Sequence, residues 1–147
     1  MGRVGNPEGV IPAIITPCDE AGGIRFDYLE KQACYLAAEG VHGLFVAGTT
    51  GEGAHLSTTE KMEVYQCVRD AVGERLLLCL ACIQPSTQTV LAEIELLGKL
   101  APDYLVSVTP YYYQMDQQDL IEHFKAVARC SPAPVILYNI PLSLIHI

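Results

Sequence analysis

No apolar run in the 147 residues approaches the ~18 needed to cross a bilayer, so no membrane span is expected. Charge is sparse, at 18% of the chain against 50% hydrophobic residues, which excludes a disordered chain. The length suffices for one domain with a core. Basic residues are few: nine Lys and Arg face seventeen Asp and Glu, for a net charge of −8. Such a balance argues against a general phosphate-backbone binder, and no nucleic-acid partner is expected, although a local basic pocket stays compatible with it. Met1 to Gly9 lack a cationic stretch followed by an apolar segment, so no secretory signal is read there. The cysteines Cys18, Cys34, Cys67, Cys79, Cys82 and Cys130 follow no disulfide-framework spacing. Free thiols in a reducing cytoplasm are expected.

What is present is a regular alternation of short apolar runs and longer amphipathic ones. Val10–Thr16 reads as a strand, with Pro12 an awkward member better suited to an edge. Gly43–Ala47, Leu76–Ile83, Tyr104–Val108 and Pro134–Asn139 read as four more strands. Between them, Leu29, Ala33 and Leu36 fall at helical spacing. So do Val64, Tyr65, Val68, Ala71 and Val72, behind a capping box at Ser57-Thr58-Thr59-Glu60. Val90, Leu91, Ile94, Leu97 and Leu100 mark a third helix, and Leu120, Ile121, Phe124, Val127 and Ala128 a fourth. Five strands alternating with four helices predict a parallel sheet covered by helices, since continuous apolar strands are buried on both faces. Right-handed crossovers leave an open doubly wound sheet or a (β/α)8 barrel, and a whole barrel needs ~250 residues.

In either architecture the chemistry sits where the strands end. The segments there are Thr16-Pro17-Cys18, Gly48-Thr49-Thr50-Gly51-Glu52-Gly53, Gln84-Pro85-Ser86, Thr109-Pro110-Tyr111-Tyr112-Tyr113 and Tyr138-Asn139-Ile140-Pro141. The glycine-rich loop is neither a Walker A nor a GxGxxG pattern. Two hydroxyls among free amides would suit a carboxylate or phosphate, and a plain polar turn fits equally. The tyrosine run could relay protons through hydrogen-bonded hydroxyls, or form an aromatic plug or subunit contact. Tyr138 ends a core strand, where its hydroxyl would point to the barrel mouth, and functional and packing roles weigh about equally there.

Other candidates weigh less. Cys79 and Cys82 lie three apart in a strand and point to opposite faces, so they read as core thiols rather than a metal or disulfide pair. His42, His55 and His123 have no ligand spacing and read as structural or solvated; no metal site is expected. Cys18 has no activating neighbour in sequence. The lysines Lys31, Lys61, Lys99 and Lys125 all fall in predicted helices, on polar faces or near helix ends. None ends a strand, so no desolvated Schiff-base amine is expected in the chain.

The combination of Gly48-Thr49-Thr50-Gly51-Glu52, Thr109-Pro110-Tyr111-Tyr112 and Tyr138-Asn139-Ile140-Pro141, with Pro12-Ala13-Ile14-Ile15-Thr16-Pro17 before them, resembles the dihydrodipicolinate synthase/N-acetylneuraminate lyase family. The likeness runs over roughly residues 8–141. It implies an incomplete (β/α)8 TIM barrel and class I aldolase chemistry through a pyruvate Schiff base, with no metal or other cofactor. It further implies that Thr50, with Gly48 and Gly51, holds the pyruvate carboxylate. Thr49 would link two tyrosines into a relay, Tyr138 would be the main acid/base, and Tyr112 would be lent across a subunit interface of a tetramer or dimer. The third strand departs from the pattern: Cys82-Ile83-Gln84-Pro85-Ser86 lacks the Gly-x-Gly turn of the synthase branch. The family's catalytic lysine lies on the sixth strand, one unit beyond Tyr138, and is not among these residues.

Residues 1–141 are therefore expected to be the N-terminal part of a barrel domain. Leu142–Ile147 match the translation of a transposon-library adaptor and are expected to be a non-native tail. The expected activity is that of a pyruvate-dependent lyase or synthase condensing pyruvate with an aldehyde, on the dihydrodipicolinate synthase side. N-acetylneuraminate lyase or a keto-sugar-acid aldolase is the alternative within the family. A catalytically inert half-barrel is the alternative of another class, and an open-sheet nucleotide binder is disfavoured because no phosphate fingerprint follows the first strand.

Overall fold

The computed structural model describes residues 6–139. Helix α1 (Phe26–Ala38) is followed by β1 (Gly43–Val46), α2 (Thr58–Val72), β2 (Leu77–Cys82), α3 (Thr87–Leu97), β3 (Tyr104–Val108), α4 (Gln117–Cys130) and β4 (Val135–Tyr138). The strands form one parallel sheet in the order β1-β2-β3-β4. Chain order and sheet order coincide, so among the described residues there is no switch point of the doubly wound kind, and the arrangement is that of a partial barrel. Leu142–Ile147 lie outside the described residues.

Four strands are present among the described residues where five were expected. Val10–Thr16 runs beside β1 yet forms a single isolated parallel bridge, Ala13 with Phe45. The bridge is made by Phe45 N–H donating to the Pro12 carbonyl (2.8 Å) and Ile14 N–H donating to the Phe45 carbonyl (3.1 Å). Extending it one step back would need the amide of residue 12 as a donor, and proline has none. Pro12 thus reduces the expected first strand to a tethered edge segment.

Helix ends follow their local chemistry. The Ser57 hydroxyl accepts the Glu60 amide while the Glu60 carboxylate takes the Ser57 amide at 2.7 Å, as the sequence predicts. A second box, Ser86 with Thr89, opens α3, and the Asp116 carboxylate caps α4 by accepting the Asp119 amide at 2.8 Å.

Strand alternation divides the apolar residues between two faces. Leu44, Val46, Leu78, Leu80, Cys82 and Leu105 pack with Leu29, Val64, Val68, Val90, Ile94 and Val127 of the helices. On the other face lie Phe45, Cys79, Ala81, Ile83, Tyr104, Val106, Val108 and Tyr138. Cys79 and Cys82 belong to these separate faces, and burial pushes their thiols up to about 11 and about 12. Both are inert core groups.

Candidate active site

The loop after β1 is built by tight backbone geometry. Ala47 and Glu52 both adopt left-handed φ values of 54°. The Glu52 amide donates to the Thr49 carbonyl (3.1 Å) and the Gly53 amide to the Gly48 carbonyl (3.0 Å). A Cβ at Gly53 would fall 1.8 Å from the Ala47 carbonyl oxygen, so only glycine closes this turn. The Thr16 hydroxyl donates to the Gly51 carbonyl at 2.7 Å and pins the loop to the edge segment. These bonds leave the amides of Thr49, Thr50 and Gly51 without an acceptor among the described residues. Thr49 and Thr50 are both exposed. Free amides beside exposed hydroxyls are the kind of donors that an anion can use.

A cleft of about 250 Å³ opens beside this loop, lined by Thr49, Glu52, Ala54, His55, Ile83, Val108 and Tyr111. At its rim His55 Nδ1 lies 3.4 Å from the Glu52 carboxylate, with both side chains largely in solvent. Burial pushes the Tyr111 phenol above its ordinary value, and the charge of Glu93 adds to the shift. Tyr138 does not line this cleft. It lines a wider groove of about 810 Å³ between α4 and β4, together with Leu120, Phe124, Val135 and Leu137. Thr49 shares no hydrogen bond with Tyr138 or Tyr112 within the chain. Tyr112 is 76% exposed, stacks edge-on against Tyr113 at 5.0 Å, and holds a φ of 82°. Such a φ on a bulky side chain is strained, and strain of this kind collects at functional positions.

The lysine expectation needs one correction. Lys31, Lys99 and Lys125 are exposed on helices, but Lys61 is fully buried. Its amine lies 2.7 Å from Glu93 Oε1 on α3, with both side chains essentially sealed from solvent. Gln84 Nε2 (2.9 Å) and the Thr58 hydroxyl (3.3 Å) donate to the same oxygen. Near a helix start a lysine looks solvated on sequence grounds; its acidic partner is 32 residues away, so only the packing of α2 on α3 reveals the pair. The amine is committed to this ion pair, and no lysine lines the mouth cleft. Gln84, two residues beyond the end of β2, is tied back to Glu93, and Ile83 walls the cleft.

The histidines behave as expected of structural or solvated groups. His42 Nδ1 accepts the Val10 amide at 3.0 Å. His123 is buried between the Thr87 hydroxyl (2.9 Å) and the Val108 carbonyl (3.3 Å), and burial holds its pKa below the usual value. Among the described residues no group of three or more His, Cys, Asp or Glu could hold a metal.

Comparisons with known proteins agree on the family. The family model described as the dihydrodipicolinate synthetase family matches residues 6–146. A 4-hydroxy-tetrahydrodipicolinate synthase of Synechococcus sp. is 39% identical over 132 residues, covering 90% of this chain and 43% of that protein. The crystal structure of the chloride-inhibited dihydrodipicolinate synthase of Acinetobacter baumannii complexed with pyruvate superposes with a TM-score of 0.90 at 31% identity. That match covers 94% of this chain and 47% of the other. The Sulfolobus 2-keto-3-deoxygluconate aldolase reaches 0.83 at 31% identity, covering 92% and 46%. The chain spans somewhat under half the length of these relatives. A glycine-threonine loop with free amides, a sequentially ordered partial barrel and these matches together establish that the chain belongs to the dihydrodipicolinate synthetase family.

Proposed function

We propose that the chain carries the carboxylate-holding and proton-handling half of a pyruvate-dependent Schiff-base site, of the 4-hydroxy-tetrahydrodipicolinate synthase kind. The observation that carries this reading is the loop Gly48–Gly53, whose free amides and exposed threonines sit at the strand ends beside the Thr49–Tyr111 cleft. A carboxylate docked on Thr50 and the Thr49–Gly51 amides would gain charge-assisted hydrogen bonds. Tyr138, with Thr49 and Tyr112, would then handle protons during condensation of pyruvate with an aldehyde. The exposure and strain of Tyr112 support its insertion into a neighbouring subunit, in a homo-oligomer where Thr49 completes the relay. A relative complexed with pyruvate supports that ligand here. The synthase branch is preferred over the keto-sugar-acid aldolases because the relative at 39% identity is a synthase. Six unpaired cysteines suit a reducing cytoplasm.

This chain supplies no amine at the cleft, so it binds without forming the adduct. Titration of the isotope-labelled chain with pyruvate should shift the Thr49, Thr50 and Gly51 amides. Thr50→Val should weaken binding by roughly 10- to 100-fold, the value of one hydrogen bond to a charged group. Borohydride with pyruvate should leave the mass of the chain unchanged. Loop amides that ignore pyruvate, or a reduced adduct on any of the four lysines, would overturn the reading.

A further inference from the structure

Phe45 is the third residue of β1, where alternation turns Leu44 and Val46 to the helices and Phe45 inward. β1 and β4 are the two edge strands, with β2 and β3 between them. In a flat sheet they would stand ~14 Å apart, three strand spacings. Yet the Phe45 and Tyr138 rings meet edge to face, with centroids 5.7 Å apart and planes at 76°. The sheet therefore curls until its two edges touch through this pair. The Phe45 ring also abuts the loop: a Cβ at Gly48 would come within 2.8 Å of Cε1 and 2.9 Å of Cζ. The ring also joins the inner cluster of Ala81, Ile83 and Val108, where Tyr111 and Tyr138 pack.

We propose that Phe45 is a positioning residue, a wedge between Gly48 and Tyr138 that sets the loop and the tyrosine ring in fixed relation to each other. An apolar filler could occupy the volume, but a flat ring held against both a backbone and a second aromatic ring transmits displacement. The consequence for pyruvate handling rests on the function proposed above; the mechanical coupling does not.

The test separates the two. In the chain with ring-labelled tyrosine, Tyr138 signals are assigned with Tyr138→Phe. Gly48→Ala drives a methyl onto the Phe45 ring and should move the Tyr138 signals. In a Phe45→Leu background, where no ring links the two, the same Gly48→Ala change should leave them still. Phe45→Met serves as a second background if Phe45→Leu does not fold. Tyr138 signals that ignore Gly48→Ala, or that move equally in both backgrounds, overturn the proposal. Phe45→Leu should also weaken pyruvate binding roughly tenfold, about one hydrogen bond to the carboxylate. If the wild-type chain ignores pyruvate while the Tyr138 coupling holds, the functional reading fails and the wedge stands.

Discussion

β2 and β4 are both short apolar strands of one parallel sheet, and their surroundings differ completely. In β2, Leu78, Leu80 and Cys82 are sealed, flanked by two strands and covered by helices. In β4 no residue is buried, and Leu137 is 59% exposed. The helices repeat the contrast. α2 buries Val64, Tyr65, Val68 and Val72, whereas the apolar stripe of α4 leaves Ile121 exposed over the groove that Leu120, Phe124 and Leu137 line. Ion pairs divide in the same way: Lys61–Glu93 is closed to water, and Lys125–Glu122 on α4 is half in it. Hydrophobicity of a segment states what it can bury; neighbours on both sides decide whether it does.

The largest expected effect tests the closed side. Lys61→Met leaves the Glu93 carboxylate buried and unpaired, and should cost about 3–5 kcal/mol in urea unfolding. The double variant Lys61→Met/Glu93→Leu should recover most of that loss. A single-variant loss below about 1 kcal/mol would mean the site is open to water after all. Next, Leu80→Ala in β2 should cost about 2–5 kcal/mol through the cavity it leaves. Leu137→Ser in β4 should change stability by less than about 0.5 kcal/mol. Sedimentation should show the Leu137→Ser chain self-associating less, because an exposed apolar edge has been blunted. A matching cost at the two leucines would erase the contrast.

The smallest effect lies at the boundary, where His123 of α4 packs against β3. Burial lowers its pKa from the ordinary 6.5, so the unfolded chain takes up the proton at a higher pH than the folded one. Its contribution is whole above pH 6.5 and is lost as pH falls toward the folded value. Denaturation midpoints should thus decline as pH falls below 6.5 more steeply for wild type than for His123→Gln. Parallel profiles would show that the imidazole stays solvated.

Much of the architecture was legible because it is written locally. Periodicity placed the four helices and the Tyr104–Val108 strand, and the Ser57 box starts α2 where its spacing says. Pro12 misled only in part: its neighbours are strand-like, and the missing amide was visible but its consequence depends on which edge faces β1. The glycines of the loop and the tyrosines stood out as residue types. Lys61 and Phe45 did not, since a lysine in a first helical turn and a phenylalanine in a strand are ordinary until their partners are known.

The sequence by itself determined the order of the elements, the strand ends that carry the loop and tyrosines, and the absence of a lysine among those ends. Only the tertiary structure decided that the sheet curls far enough for Phe45 to reach Tyr138, that Lys61 is sealed against Glu93, and that Thr49 and Tyr138 line different concavities. The reason is separation along the chain. Turns, caps and periodic faces depend on residues a few positions apart, whereas these contacts join residues 32 or more apart, and no local pattern encodes a partner at that distance.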